Sequence, residues 1–550
     1  MSKPDPQGYH AVRWQEPVIY ELGAKGRRGF KVPEAEPRLK KAVGDVVGTI
    51  PGKMRRRAPP PLPELSEPEV VKHFVRLSQL TFGVDSGINA GVGTCTMKYS
   101  PRVNEALVRS PKLTELHPLQ DEGSVQGVLE LMYTLERMLC EIAGMDAFSL
   151  QPRGGAHAVF TNARIIDAYL KERGERKAKD EIVTIVLSHP CNGASPAAAG
   201  FKVRTVYPNM ETGVPDIESF KQAVSKKTAG LMITDPYDTG VFDTNLQEYI
   251  KIVHEAGGLV AIDQANLNSV LGRLRIGDFG ADMCQFNLHK SFSTPHASGG
   301  PGCSPIGVKD ALAGYLPVPI IERDGGRYRF DFDRPKSIGK VAEFYGVVPN
   351  VVRAYCWLRS MGPEGLLETS AAATLNDNYL VKRLSGVRGV TLPWSRTFPV
   401  RLQEARFSLE SLRRETGIGI EALNRRIVDY GVQRLFPGHE PWIVPEPFTP
   451  EPTESSSKED LDRFAEIMRA ACNEAYHNSG VFRDAPHNCS IHRVDMKAAT
   501  DPKRWALTWR AYRRKLGDQS KGYGENPRRG SLGRKETGSS TPARRTRRRS

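Results

Sequence analysis

Four short apolar runs separated by helical segments constrain the fold of this chain more than any other feature of its sequence. Each run has the length and apolar content of a buried strand. The runs are residues 182–187, 230–234, 259–262 and 283–286. Between the second and third runs, Leu246, Ile250 and Val253 fall on one face of a predicted helix. Strands that alternate with helices predict an α/β fold whose mostly parallel sheet is covered by helices on both faces.

The chain has 550 residues, enough for two to four domains. The pattern becomes regular from Val70, and a helical stripe follows over 124–145 and ends at Gly144. An acidic, proline-rich stretch over 445–462 is predicted to interrupt the C-terminal part. The predicted organisation is an irregular, proline-rich N-terminal arm (1–75), a large domain (76–335), a smaller α+β C-terminal domain (336–516) and a basic tail (517–550).

The tail carries much of the positive charge of the chain. Residues 519–550 contain ten Lys or Arg against two Glu, which contributes +8 of the formal net charge of +15. The same segment lacks Ile, Val, Phe and Trp, so it cannot bury enough surface to offset the entropy of ordering. We expect a disordered, solvated tail. Binding of nucleic acid is the less favoured alternative.

Several classes of protein are excluded by composition. The eight cysteines are scattered without a CxxC pair, which argues against a disulfide scaffold or a structural zinc site. No apolar window approaches the roughly 18 residues of a membrane span, and the first 16 residues lack the apolar core of a signal peptide. These features predict a cytoplasmic protein with no bound metal.

Lys290 and Asp263 are the first candidates for chemistry. Lys290 follows the last apolar run in "ADMCQFNLHKSFSTPHASGGPG", and Asp263 closes the run "LVAID". The carboxyl ends of parallel strands meet at the edge of the sheet where ligands bind, so we expect both side chains there. A lone lysine in this position is usually a solvated surface charge, and Asp263 could equally cap the turn "DQAN". The neighbouring motifs are needed to choose between a functional and an ordinary role for these two residues.

The neighbouring motifs fit the requirements of pyridoxal phosphate, which needs an amine, an acid at the ring nitrogen, a flat group over the ring and donors for its phosphate. In "QPRGGAHAVF", Gly154, Gly155 and Ala156 open a predicted helix whose free N–H groups favour an anion. His157 follows one residue later and could lie over the ring. The polar loop "SHPCNGAS" adds three candidate cofactor contacts, which are His189, Asn192 and Ser195.

Together these motifs resemble a known family. "RLSQLTFGVDSG", "CTMKYSPRVNEAL", "LQPRGGAH", "DQANLNSVLGR", "NLHKSF" and "FDFDRPKSIGKV" occur in order, and the resemblance spans about 16–514. They are similar to subunit 2 of the two-subunit glycine-cleavage P-protein, a pyridoxal-phosphate glycine decarboxylase. The resemblance implies a fold-type-I large domain, subunit 1 and lipoylated H-protein as partners, and an oligomeric complex. It also implies Lys290 as the Schiff-base lysine, Asp263 at the ring nitrogen, His157 stacked on the ring, and His189, His289 and His296 near the cofactor.

The chain departs from the family pattern in its substrate-side loops. The family's "GAHGE" reads "GAHAV", so Val159 replaces a glutamate, and "NPNTLG" reads "DPYDTG", which introduces Tyr237 and Asp238. We expect these changes to reshape the substrate pocket. The alternative function is therefore that of a paralogous decarboxylase, transaminase or lyase acting on another amino acid. A binding protein with a vestigial enzyme core is a third possibility.

Overall fold

The computed structural model describes residues 16–516, except for positions 31, 59, 61, 86, 94, 97, 295, 297–299 and 490–492. The predicted basic tail lies outside the described residues, so its disorder stays a prediction. The described part of the chain divides into two compact units, one formed by residues 82–493 and the other by 16–81 together with 494–516. The predicted domain boundaries at 75, 335 and 516 stay predictions.

The strands found among the described residues all lie in the larger unit. They are β1 (Ala147–Ser149), β2 (Glu181–Ile185), β3 (Lys202–Val206), β4 (Thr228–Thr234), β5 (Leu259–Gln264), β6 (Met283–Phe286), β7 (Ile306–Val308), β8 (Ile320–Asp324), β9 (Arg327–Asp331), β10 (Phe407–Ser408) and β11 (Pro447–Phe448).

The helices are distributed over both units, and no helix in the described part of the chain is long and apolar enough to cross a membrane. They are α1 (Pro37–Val43), α2 (Val46–Thr49), α3 (Glu67–Gln79), α4 (Arg102–Val108), α5 (Pro111–Thr114), α6 (Gln126–Ala143), α7 (Gly155–Glu172), α8 (Cys191–Ala198), α9 (Ile217–Ala223), α10 (Leu246–Glu255), α11 (Asp310–Ala313), α12 (Val348–Leu384, bent at Gly362), α13 (Glu410–Thr416), α14 (Ile420–Ile427), α15 (Lys458–His477), α16 (Met496–Thr500) and α17 (Trp509–Leu516). Short 3₁₀ turns lie at Ile19–Glu21, Glu122–Ser124, Val428–Tyr430, Ser479–Phe482 and Pro502–Arg504.

A seven-stranded sheet organises the larger unit, with the strand order β1-β7-β6-β5-β4-β2-β3. β7 runs antiparallel to both of its neighbours, and the remaining neighbouring pairs are parallel. The helices α8, α9 and α10 each connect two consecutive strands, as parallel pairing requires. The predicted α/β fold with a mostly parallel sheet is confirmed.

The strands bury both of their faces because helices cover the sheet on both sides. In β4, Leu231 and Ile233 pack into one apolar core, whereas Met232 between them packs into the core on the opposite face. This is the alternation that a strand imposes on its side chains. It explains why the strands of this sheet are continuous apolar runs in the sequence.

A second core lies in the C-terminal part of the larger unit and forms the smaller domain. It is built from the end of α12, from α13 to α15 and from the short β10–β11 pair. Leu412, Phe448 and Phe464 are fully buried in it.

The smaller unit differs from the irregular arm predicted over 1–75, because it contains helices α1 to α3. α3 begins at a capping box, in which the backbone N–H of Ser66 donates to the Glu69 carboxylate at 2.8 Å. Pro68 in the first turn is compatible with a helix because that position needs no N–H donor. The proline-rich composition therefore concealed a good helix start.

We predict that Gly240→Ala destabilises the larger unit by several kcal/mol. Gly240 has a φ of +78°, and an added Cβ would collide with the backbone carbonyl of Glu404. The substitution adds backbone strain of about 1 kcal/mol to a clash with backbone that cannot move aside. Gly174→Ala is the matched control, because Gly174 has a φ of +69° but open space around it. The expected result is a clearly larger fall in Tm for Gly240→Ala; equal falls would contradict the prediction.

Candidate active site

Lys290 and Asp263 lie at the same edge of the sheet. Asp263 is in β5 and pairs with Gln285 of the neighbouring strand β6, and Lys290 follows β6 after a short turn. The backbone N–H of Leu267 donates to the Ser291 hydroxyl at 2.7 Å, which ties together the two loops that leave these strands. The structure therefore brings the predicted lysine and the predicted acid to neighbouring strand ends.

The buried Asp263 carboxylate accepts hydrogen bonds from several directions. The Asn192 amide donates to one oxygen at 2.9 Å, and the Thr234 hydroxyl donates to the same oxygen at 3.2 Å. The other oxygen accepts from the Gln285 amide and, at 3.0 Å, from the backbone N–H of Ala265. The last contact is the turn cap considered from sequence. Asp263 is thus a turn cap and also a carboxylate held in a fixed orientation at the strand end.

Helix α7 begins beside these residues with an uncapped turn. Gly154 is its N-cap residue, and no side chain in the described part of the chain caps its first N–H groups. A Cβ on Gly154 would meet open space, whereas one on Gly155 would lie 3.3 Å from the Asn287 amide. Ala156 is exposed. The N-terminus of this helix therefore offers N–H donors and room for an anion.

His157 lies in the first turn of α7 and is half-buried. Its Nδ1 accepts the backbone N–H of Arg153 at 3.2 Å, so Nε2 carries the proton of the neutral ring. Burial lowers the pKa of His157, and the Arg153 cation lowers it further. The ring is therefore neutral near pH 7 and can present a flat apolar face.

The three predicted residues of the polar loop lie around the start of α8. The Asn192 amide connects Asp263 with Thr234, to which it donates at 3.0 Å. The Ser195 hydroxyl donates to the backbone carbonyl of Ala156 at 3.2 Å, which joins α8 to the start of α7. Burial, with a smaller contribution from a neighbouring histidine, lowers the pKa of His189 to about 4. All three residues belong to the same polar region as Asp263.

His289 and His296 contact each other rather than Asp263. Their ring centroids are 4.4 Å apart. His289 Nδ1 lies 3.1 Å from the backbone nitrogen of Cys303, and His296 Nδ1 lies 2.7 Å from the carbonyl oxygen of Gly300. Burial lowers the pKa of His289 to about 3, with His296 as the next cause. These contacts join His289 to Cys303 and His296 to Gly300, both of which follow Lys290 in the chain.

The structure adds a polar cluster around Glu451 that the sequence did not reveal. One Glu451 oxygen accepts from the Thr96 hydroxyl at 2.5 Å and from the Asn266 amide. Burial raises the pKa of Glu451 to about 7, although Lys290 acts in the opposite direction. Lys98 forms an ion pair with Glu454 at 2.7 Å nearby. Glu451 is therefore a buried acid within electrostatic range of Lys290.

The origin of this cluster corrects one expectation. The stretch 445–462 was expected to be an acidic, proline-rich break, but it contains β11, and Thr449, Glu451 and Thr453 are buried. The acidic and proline-rich composition of this stretch gives no apolar period that would indicate burial. Only the packing of the C-terminal domain places Glu451 beside the strand ends.

Two of the substitutions expected to reshape the substrate pocket are buried within the larger unit. Val159 is buried in the apolar core between α7 and the sheet. Tyr237 is fully buried, and its hydroxyl donates to Asp243 at 2.8 Å. The expected effect of both substitutions on the substrate pocket stays a prediction. Asp238, in contrast, bonds to His439 beside His189.

Comparisons with known protein families match two parts of the chain. Residues 40–324 match the family described as "Glycine cleavage system P-protein", and residues 369–487 match "Glycine dehydrogenase, C-terminal domain". A probable glycine dehydrogenase (decarboxylating) subunit 2 from Pyrococcus abyssi is 46% identical over 507 residues, which are 92% of this chain and 98% of the relative. The relative of the same name from Thermococcus kodakarensis is 47% identical with the same coverage.

Solved structures show the same fold. An inhibitor-bound glycine decarboxylase (P-protein) of the glycine cleavage system superposes with a TM-score of 0.68 at 20% identity, covering 80% of this chain and 100% of that chain. A cysteine desulfurase from Escherichia coli superposes with a TM-score of 0.52 at 14% identity, covering 71% of this chain and 95% of that chain.

We predict that Glu451→Gln stabilises the protein more, relative to the wild type, at pH 8.5 than at pH 5.5. Folded Glu451 stays protonated up to about pH 7, whereas in the unfolded chain it ionises near pH 4.5. Raising the pH from 5.5 to 8.5 therefore favours unfolding of the wild type, by on the order of 2 kcal/mol. Glutamine resembles the protonated acid and removes this dependence. Tm measured at both pH values tests the prediction, with exposed Glu368→Gln as the control. Parallel Tm curves for Glu451→Gln and the wild type would contradict it.

Proposed function

The chain belongs to the glycine cleavage system P-protein family, and we propose that it is the decarboxylating subunit 2 of a two-subunit glycine dehydrogenase. It is a pyridoxal-phosphate-dependent enzyme that decarboxylates glycine. The match extends over 98% of the length of the Pyrococcus abyssi relative. One structural observation carries the assignment of the site: Lys290 and a fixed Asp263 carboxylate lie at paired strand ends.

The residues around Lys290 fit the cofactor. When bound, pyridoxal phosphate supplies a carbonyl that reacts with amines and a ring that accepts the electron pair released at the substrate Cα. We assign Lys290 as the amine that holds the cofactor and Asp263 as the acid at the ring nitrogen. The neutral ring of His157 offers the flat contact. The uncapped start of α7 at Gly155 offers N–H donors to the phosphate.

The remaining predicted residues support these four groups. Asn192 orients the Asp263 carboxylate, and Ser195 joins α8 to the start of α7. His189 lies beside them, and the rings of His289 and His296 contact each other. We assign these five residues to the lining of the cofactor site.

The partners follow from the family. The relatives are named as subunit 2, so the protein works with a subunit 1. We further propose that lipoylated H-protein receives the aminomethyl group and that the complex is oligomeric. A cytoplasmic location is also proposed, because the eight cysteines are scattered without the spacing of a disulfide scaffold, which is typical of a reducing compartment.

We predict that Lys290→Ala abolishes covalent binding of pyridoxal phosphate and all turnover. Lysine is the side chain that forms a covalent bond with the cofactor carbonyl. Borohydride reduction followed by mass spectrometry of the full-length protein tests for the adduct. Lys251→Ala, an exposed lysine of α10, is the control and should behave as the wild type. A reducible adduct on the Lys290→Ala protein would refute the assignment.

We predict that Asp263→Asn retains the cofactor but slows glycine decarboxylation by on the order of 100-fold or more. The neutral amide keeps much of the hydrogen bonding but no longer stabilises a protonated ring nitrogen, and losing one fixed electrostatic contact typically costs about 100- to 1,000-fold in rate. Exchange of labelled bicarbonate into the glycine carboxyl group, with subunit 1 and H-protein present, measures the rate. Asp282→Asn, at the opposite end of the sheet, is the control. Near-normal exchange by the Asp263→Asn protein would show that Asp263 acts only as a turn cap.

A further inference from the structure

An aspartate–histidine pair lies next to the proposed cofactor site. His439 Nδ1 is 2.9 Å from an Asp238 oxygen, and the His439 ring meets the His189 ring edge-on, with 4.4 Å between centroids. Asp238 follows β4, whereas His439 precedes β11 in the C-terminal domain. The fold thus assembles the pair from two distant parts of the chain.

His189 connects this pair to the proposed site. Its backbone N–H donates to the Thr234 hydroxyl at 3.0 Å, and the same hydroxyl donates to Asp263. Lys290 and Asp263 are both close enough to influence the charge of His189. The His189 ring therefore connects His439 to the groups assigned to the cofactor.

Arg406 and Gly438 hold the pair in place. The Arg406 guanidinium donates to one Asp238 oxygen at 3.2 Å, and its second terminal nitrogen lies 3.1 Å from the other oxygen. Gly438 has a φ of +139°, and a Cβ there would lie 3.1 Å from the guanidinium carbon. A larger residue at 438 would be strained and would press on Arg406. Gly438 thus allows the backbone to pass close to the Arg406 guanidinium, and this path places His439 beside Asp238.

The charged groups around His439 favour its action as a general base. Burial opposes ionisation of Asp238, but Arg406 and His439 outweigh it and lower the pKa of Asp238 to about 2. A charged carboxylate at Nδ1 accepts the Nδ1 proton, so the neutral ring presents a free lone pair at Nε2. The neighbouring rings are those of His189 and of the apolar Phe436, whose centroid is 5.3 Å away. The buried acid Glu404 lies within electrostatic range of Asp238 and Arg406. The His439 side chain is 24% exposed, so it can exchange protons with water.

His189 is less suited to this role. Its Nδ1 already accepts the backbone N–H of Cys191 at 3.1 Å. Burial, together with His439, lowers the pKa of His189 to about 4, so it is a weak base. Of the two histidines in contact, His439 has both the orienting carboxylate and access to water.

We propose that His439 is the base that removes a proton from the ammonium group of the incoming amino acid, and that Asp238 is the positioning residue that holds it. This inference rests on the proposed function. An ammonium nitrogen has no lone pair, so it must lose a proton before it can bond to a carbonyl carbon. One N–H bond of the substrate breaks, its electron pair stays on the nitrogen, and the proton passes to His439 Nε2. The imidazolium then returns the proton to water.

The test uses the full-length protein loaded with pyridoxal phosphate, in complex with subunit 1 and with lipoylated H-protein present. His439→Asn is the main variant, because its amide can replace Nδ1 as a donor to Asp238 but carries no group at the position of Nε2. Asp238→Asn is the second variant. His254→Asn is the control, because His254 forms a similar pair with Asp282 at 2.8 Å at the opposite end of the sheet.

Two quantities are measured between about pH 6 and pH 10, a range that includes the titration of histidine and of amino groups. One is kcat/KM for exchange of labelled bicarbonate into glycine, and the other is the rate at which glycine changes the absorbance of the bound cofactor. General base catalysis contributes about 100- to 10,000-fold, so we expect both quantities to fall on the order of 100-fold at pH 7 in His439→Asn. They should then rise about tenfold per pH unit as free glycine amine becomes available, which closes the gap with the wild type.

The outcomes distinguish a role of His439 in proton transfer from a purely structural role. Asp238→Asn should show a smaller loss with the same pH trend, and His254→Asn should match the wild type. A uniform loss at every pH in His439→Asn, or a profile identical to that of the wild type, would overturn the inference while leaving the proposed function intact. A wild-type complex without exchange or absorbance change would instead refute the proposed function itself.

Discussion

The parallel pairing of β5 with β6 is the constraint on which the rest of the site depends. It sets Asp263 opposite Gln285, and the chain that leaves β6 reaches Lys290 four residues beyond the strand. Parallel strands end at a common edge, so an acid and an amine that are far apart in sequence become neighbours there. The hydrogen bond from Leu267 to Ser291 then keeps the two outgoing loops together. A shift of this register by one residue would turn Asp263 to the opposite face of the sheet.

The second requirement is that a buried carboxylate be satisfied by donors. Burying a charge without partners is costly, and Asp263 avoids this cost through donors from β4, β6, the start of α8 and its own turn. The same donors fix its orientation, so stability and the proposed chemistry depend on one set of contacts. Asp238 follows the same rule, with Arg406 and His439 as its partners. The two carboxylates are connected through Thr234 and His189.

The substitutions in the substrate-side loops illustrate the limit of reading motifs without geometry. Val159 is two residues after His157, and two residues correspond to about 200° around a helix. The two side chains therefore lie on opposite faces of α7, and Val159 enters the core. Tyr237 and Asp238 are adjacent in sequence, yet the first packs against Asp243 and the second bonds to His439. Proximity in the sequence established neither orientation.

The sequence by itself determined the elements that depend on local periodicity and local turn chemistry. Apolar runs and helical stripes in the sequence located β4, β5, β6, α6 and α10. The positions of Lys290 and Asp263 after predicted parallel strands indicated that the two side chains lie together. Only the tertiary structure decided which distant residues complete the site. Glu451 and His439 come from the C-terminal domain, and the segments that carry them have no apolar period pointing to burial. Their positions follow from the packing of that domain against the sheet edge, and packing over such long sequence separations leaves no local pattern in the chain.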